Sequence, residues 1–262
     1  MRVELLSWLI HRRRSVVAGA LATMSAAAWA YLLFGPRSDM EGMGQGGGQM
    51  MTLLPEWSLP YAVLIFVMWG AMMVAMMLPT AAPTVLLVTA LAWDRTANSN
   101  FIPALAMLFA LGYLLVWFGF SLVATLMQWG LDEAGLLSQT MAFGNMMLAG
   151  TVLIAAGVYQ WTPLKDTCLR HCRSPTDFLI RHWRDGPIGA VQTGVRHGLF
   201  CLGCCWMLMA LSFVGGLMNL AWVGVIAVLV LLEKTMPWGD WMSRLTGVVF
   251  ILWGASSLTR II

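Results

Sequence analysis

The chain has 262 residues, of which 60% are hydrophobic and only 10% charged, with a formal net charge of +3 and a mean hydropathy of +0.77. A soluble domain places charges at about a quarter of its positions, so this composition excludes a soluble enzyme, a nucleic-acid binder and a disordered chain. Long unbroken apolar runs, in place of segments of about ten residues with alternating polarity, exclude a transmembrane barrel as well.

A membrane-crossing helix needs about 20 predominantly apolar residues. Seven runs meet or approach that length: residues 16–34, 59–78, 101–127, 141–161, 198–214, 218–232 and 245–258. The basic His11–Arg14 segment precedes the first run, and a Gly-rich stretch follows it, so that run reads as a retained span and not a signal peptide. The second apolar stretch continues to Trp93, which predicts a break near Pro79 and a further helix at the interface. The last run is short and reads as a tilted or re-entrant segment. With the N-terminus in the cytoplasm, thirteen of the fifteen Lys and Arg residues fall on the inner side, leaving only Arg37 and Arg260 outside. The expected fold is therefore an all-α polytopic transmembrane bundle of about seven spans with a cytoplasmic N-terminus, in the inner membrane of a bacterium. Residues 1–57 carry the first span and an outer loop rich in Gly and Met (Met40, Met43, Met50, Met51). Residues 58–262 form a six-span core whose inner loop, 163–187, holds Cys168, His171, Cys172 and His182.

Soft atoms are abundant, with 21 Met and five Cys; the 14 Trp are explained by anchoring at membrane interfaces. The densest segment is His197-Gly-Leu-Phe-Cys201-Leu-Gly-Cys204-Cys205-Trp206-Met207. At about 100° per residue, His197, Cys201, Cys204 and Cys205 share one stripe about 100° wide, and Cys201 lies one turn from both other thiols. Cys168 and Cys172 form a second pair at i,i+4, and His171 lies between them. All five Cys then sit at the reducing face, where thiolate chemistry is available and disulfide staples are not expected. Free Cys is also a common small core residue, but a C-x-x-C-C stripe with a C-x-x-x-C pair is harder to obtain from packing alone. Met68, Met72 and Met76 form an i,i+4 ladder beside Met73 and Met77; a thioether track suits Cu(I), and plain core packing is the alternative. Glu233-Lys234 reads as an interfacial anchor, with Glu233 a hard ligand or proton acceptor if it faces the bundle, and Lys165-Asp166 reads as solvated. Nucleotide-binding and hydrolase motifs are absent from the sequence.

Met72-x-x-Ala75-Met76-Met77-x-Pro79, Tyr159-Gln160-x-x-Pro163-Leu164-Lys165-x-x-Cys168-x-x-x-Cys172, Gly198-x-x-Cys201-x-Gly203-Cys204-Cys205-Trp206 and Glu233-Lys234 together resemble a bacterial family of predicted metal-binding integral membrane proteins of unknown function. The resemblance covers roughly residues 60–255. It implies membrane residence and metal binding, and brings neither the metal nor a reaction with it.

The expected function is binding of a soft transition metal, copper above zinc or an iron–sulfur cluster, through Cys168, Cys172, Cys201, Cys204 and Cys205. His171, His197, Met72 and Met76 are the additional candidate ligands. The role would be handling, delivery or sensing of the metal, as an accessory to a membrane metalloenzyme. The partners would be the lipid bilayer and other membrane subunits, and no nucleic acid. Two readings compete: a membrane thiol–disulfide oxidoreductase using Cys201-x-x-Cys204, and a non-catalytic subunit of a larger membrane complex. The charge asymmetry makes the topology testable. In intact cells a membrane-impermeant thiol reagent should leave Cys168 and Cys172 unlabelled until the membrane is opened; rapid labelling from outside would invert the arrangement.

Overall fold

The structure, a computed structural model, describes residues 2–44, 57–95, 102–138 and 140–259, with side chains from residues 14–35, 57–91, 102–138 and 140–259. It is all-α. The helices in chain order are α1 (Arg2–Gly44), α2 (Leu59–Arg95), α3 (Ile102–Glu133), α4 (Met146–Tyr159), α5 (Pro163–Arg173), α6 (Pro175–His182), α7 (Gly186–Ala210), α8 (Ser212–Gly215), α9 (Leu220–Thr235) and α10 (Gly239–Thr259). Each of the seven apolar runs lies largely in a helix of its own: α1, α2, α3, α4, α7, α9 and α10. Four stretches are long and apolar enough to cross a membrane: Arg14–Gly35, Leu59–Leu91, Ile102–Glu133 and Gly186–Gly215. The pair α4 and α5, bent by 65° across a short break, is a fifth candidate. α9 has 16 residues, and α10, with 21, begins with Asp240 and Arg244 in its first turns; both fall short of that combined length and apolarity.

Four sequence expectations need correction. The second apolar stretch does not break at Pro79: α2 passes through Pro79 and Pro83 as one helix of 37 residues. A proline at position 79 withholds the N–H that the Ala75 carbonyl would accept, and the Ser25 hydroxyl of α1 donates to that carbonyl instead, at 3.3 Å. Two residues before the proline, the Met77 carbonyl accepts from Thr80 at 2.8 Å and from Tyr113 at 3.1 Å. The fourth run becomes helical only at Met146, where the Asn145 side chain caps the first turn by accepting from Met147 N–H. Before it, Leu137 and Phe143 form an isolated bridge, and Met141 takes a positive φ of 55°. The inner loop 163–187 is mostly helical. Thr162 caps α5 and Pro163 occupies its first turn, Pro175 opens α6, and Pro187 opens α7, which begins twelve residues ahead of the expected span. Finally, α1 continues past Pro36 to Gly44, where a loop was expected; Met50 and Met51 of that loop lie outside the described residues, as do the side chains of Met40 and Met43.

Two seams of close backbone approach set the helix arrangement. α3 and α7 run parallel. A Cβ on Gly194 would lie 2.0 Å from the Phe109 carbonyl oxygen, and one on Gly198, a turn further along, would lie 3.0 Å from the Tyr113 oxygen. α4 and α10 run antiparallel through two glycine pairs seven residues apart. A Cβ on Gly254 would sit 2.6 Å from the Gly150 oxygen, and one on Gly157 would sit 2.7 Å from the Gly247 oxygen. α2 lies between α1 and α3, so its methionine-rich face is covered, and α5 and α6 close one end of the molecule against α7 and α2.

The seams predict a contrast. Gly194→Ala meets backbone that cannot swing aside, so it should destabilise by at least the about 1–3 kcal/mol typical of overpacking. Gly119→Ala, where nothing lies within 4 Å, should be neutral or slightly stabilising. Thermal unfolding of the two variants in detergent checks this.

Candidate metal centre

The sulfur-bearing elements meet where α5 lies against α7. Cys168 and Cys172, one turn apart, are carried on that short helix. Gly203 supplies the socket for the first of them: a Cβ there would stand 2.7 Å from Cys168 Sγ. The Tyr159 hydroxyl donates to the Gly203 carbonyl, and its ring meets Trp206 edge-on at 5.5 Å, so the end of α4 holds the same turn of α7. One turn further along α5, Cys172 Sγ comes to 3.9 Å from Cys204 Sγ. The two cysteine groups, 32 residues apart in sequence, are therefore in contact.

Along α7, Cys201, Cys204 and Cys205 are all buried. The thiols of Cys204 and Cys205 donate to the Cys201 carbonyl at 3.1 and 2.9 Å, the back-bonding expected of small polar side chains on a helix. Cys205 Sγ also lies 4.0 Å from Met77 Sδ of α2. Cys201 Sγ has different company: the Tyr113 hydroxyl at 3.0 Å and the Lys234 ammonium at 2.8 Å. Lys234 Nζ donates further to Thr80 Oγ1 at 3.3 Å and lies 3.9 Å from Cys205 Sγ. Five helices, α2, α3, α5, α7 and α9, thus converge on one cluster.

A separate buried ion pair adjoins Lys234 in sequence. The neighbouring Glu233 turns the other way and accepts from Lys165 of α5 at 2.7 Å, with both side chains at most 2% exposed. Its other oxygen accepts from Gln160 at 3.2 Å and Thr246 at 3.4 Å. Lys165 is therefore buried, not solvated as its sequence context suggested, because α5 folds back onto α7 and α9 and carries the lysine inward. Glu233-Lys234 is likewise more than an interfacial anchor.

Of the remaining candidates, His171 is partly exposed, stacks face-on upon Phe200 at 4.2 Å, and donates from Nδ1 to the Thr167 carbonyl at 2.8 Å. His197 is buried among Phe109, Tyr113 and Phe178, and its Nδ1 has no hydrogen-bond partner. Met72 and Met76 are buried in the hydrophobic core; the thioether that reaches a thiol is that of Met77, on the neighbouring ladder. Sequence reasoning passed over Lys234, Tyr113 and Lys165 as members of this cluster. The only signal for the lysines was the Glu233-Lys234 pair at the end of an apolar run, which membrane anchoring explains equally well. Tyr113 carried none.

Two sulfurs that share an ion at about 2.3 Å each lie between about 3.8 Å apart, in tetrahedral geometry, and about 4.6 Å apart when linear. The Cys172–Cys204 and Cys205–Met77 separations of 3.9 and 4.0 Å fall within that window. Among the described residues no three His, Cys, Asp or Glu side chains are grouped around one point as a closed metal site requires. The sulfurs form a string of pairs. That donor set suits a soft ion content with two or three sulfur ligands, Cu(I), better than zinc, which takes four. Thiols and a thioether clustered in the interior of an all-α bundle are donors of the kind a soft metal takes. Residues 66–257 match the copper chaperone family PpoB2, and the chain belongs to that family. Its role is therefore one of copper handling, and the family supplies the metal that the sequence motifs left open. Among curated proteins, and among solved structures, none matches the chain.

The buried ion pair yields a stability prediction. Glu233→Gln leaves Lys165 charged in the interior without a counter-charge and should cost about 3–5 kcal/mol. The double variant Glu233→Gln/Lys165→Met removes the stranded charge and should recover much of that loss. Unfolding midpoints of the three proteins in detergent decide it.

Proposed function

We propose that the protein is an integral membrane copper chaperone that holds Cu(I) between the buried sulfurs of α2, α5 and α7 and passes it to a membrane metalloenzyme. The observation that carries this is the approach of Cys172 to Cys204 at 3.9 Å across two separate helices. In this reading Cys172 with Cys204, and Cys205 with Met77, bind the cargo; Cys168 and Cys201 flank them. Lys234 holds Cys201 in place and balances its charge.

Membrane residence is supported by the exposed apolar side chains. Leu111, Leu115, Leu122 and Leu126 form an outward stripe on α3, each about half exposed, and Val225, Val228 and Leu252 continue the apolar surface on α9 and α10. Exposed tryptophans mark two levels: Trp129 at the end of α3, and Trp161, Trp238 and Trp241 beside α5 and the start of α10. We take α1, α2, α3, α4, α7, α9 and α10 as seven spans of a bacterial inner-membrane protein. Lys165, Arg170, Arg173, Arg181, Arg184 and Arg196 then gather on the cytoplasmic side together with the N-terminus.

The test uses the full chain, purified in mild detergent without chelator and titrated with Cu(I) against a chromophoric competitor. Cys172→Ser/Cys204→Ser should weaken binding of the sulfur-held copper at least about tenfold, equivalent to about 1.4 kcal/mol, with fewer sulfur neighbours in X-ray absorption. Unchanged affinity and sulfur count would overturn the assignment. The same thiol contact favours a second reading, a thiol–disulfide oxidoreductase: a Cys172–Cys204 disulfide forming readily in a protein that binds no copper would establish that one.

A further inference from the structure

The surface of α5 and α6 carries a second set of donors that the sulfur cluster does not use. His171 and His182 project from neighbouring short helices with their ring centroids 6.2 Å apart. Their Nδ1 atoms are engaged in the same way, that of His171 with the Thr167 carbonyl at 2.8 Å and that of His182 with the Phe178 carbonyl at 3.0 Å. A carbonyl only accepts, so each Nδ1 carries the proton, and in the neutral ring Nε2 is left with its lone pair. This backbone anchoring of one nitrogen is the arrangement that orients a metal-ligating histidine and fixes its tautomer.

Aromatic contacts hold the ring planes as well. Phe200 of α7 lies parallel to His171 at 4.2 Å and 6.2 Å from His182, and Phe178 supports His182 at 5.0 Å. Metal–nitrogen bonds of about 2.0–2.1 Å place the centroids of two imidazoles on one ion at most about 6.5 Å apart; the observed 6.2 Å is within that reach. Both rings are partly exposed, and a cleft of about 540 Å³ lined by His171, Arg170, Ser174, Asp177, Phe178 and Arg181 opens beside His171. A pair of imidazoles within this reach suits monovalent copper and leaves zinc short of its four ligands.

We propose that His171 and His182 form a second, two-nitrogen Cu(I) site at the surface, from which the ion is handed to Cys172, the next residue along α5. The hand-over rests on the function proposed above; the histidine site itself does not. Transfer runs from borderline imidazole to softer sulfur, so it is downhill for Cu(I), and no electron moves.

Three full-length proteins in detergent are titrated with Cu(I) against a chromophoric competitor and examined by X-ray absorption: wild type, His171→Asn/His182→Asn, and Cys172→Ser/Cys204→Ser. The histidine variant should bind one copper fewer per chain than wild type and lose the imidazole scattering signature while keeping its sulfur-bound copper. The cysteine variant should keep the imidazole-bound ion. Elution volume and unfolding midpoint matching wild type confirm that the histidine variant is folded, and single substitutions at either histidine should each abolish the nitrogen site. Unchanged stoichiometry and imidazole signature in the histidine variants would overturn the proposal. Loss of the imidazole copper on removing the histidines, with cysteine substitutions without effect, would sustain this site and defeat the sulfur reading.

Discussion

The structure turns on two adjacent residues at the end of α9. Glu233 and Lys234 carry opposite charges, both are buried, and they point to different helices. Glu233 fastens α5 through Lys165; Lys234 fixes the Cys201 end of the sulfur cluster. Neither charge can be left alone in a dry interior, where an unpaired ion costs several kcal/mol. Docking of α5 and placement of the thiols are thus two consequences of one constraint. If α5 moves away from α7, Lys165 leaves its carboxylate as Cys172 leaves Cys204.

The sequence disclosed the helical content and the soft chemistry through direct local signals. Seven apolar runs marked seven helices, and i,i+3/i,i+4 spacing placed three thiols on one stripe of α7, all of them buried. What it did not disclose was long-range. A single shared site required segment 163–187 to pack over the entrance of α7, but nothing in the sequence paired Cys204 with Cys172 in particular or showed that a buried ion pair holds α5 there. Lys165 illustrates why: beside Asp166 and ahead of Arg170 it reads as surface, and its burial depends on a carboxylate 68 residues away. Met77 was indistinguishable from Met76 until the fold brought its Sδ to 4.0 Å from Cys205 Sγ.

The prolines of α2 show the same division. A local rule puts a break at Pro79, and the rule fails because α1 supplies a hydroxyl to the carbonyl the proline frees. Tyr113 donates to the Met77 carbonyl and also contacts Cys201 Sγ. The stretch of α2 with irregular hydrogen bonding is therefore the stretch that faces the cluster. Tyr113 thus ties the turn of α2 just before Pro79 to the thiol of Cys201.

The antiparallel glycine seam between α4 and α10 bears on how the chain is assembled. Gly247 follows Gly157 by 90 residues, and between them lie the helices that carry every thiol of the cluster. During synthesis the bare backbone track of α4 is exposed first, and its matching track emerges only after α5, α7 and α9 have been made. Contacts of such long sequence separation close slowly, which leaves α5 tethered at one end while its charged and sulfur-bearing side chains find their places. Late closure of the seam would then act as a latch, giving the interior of the bundle time to sort its ion pairs before α10 seals them in.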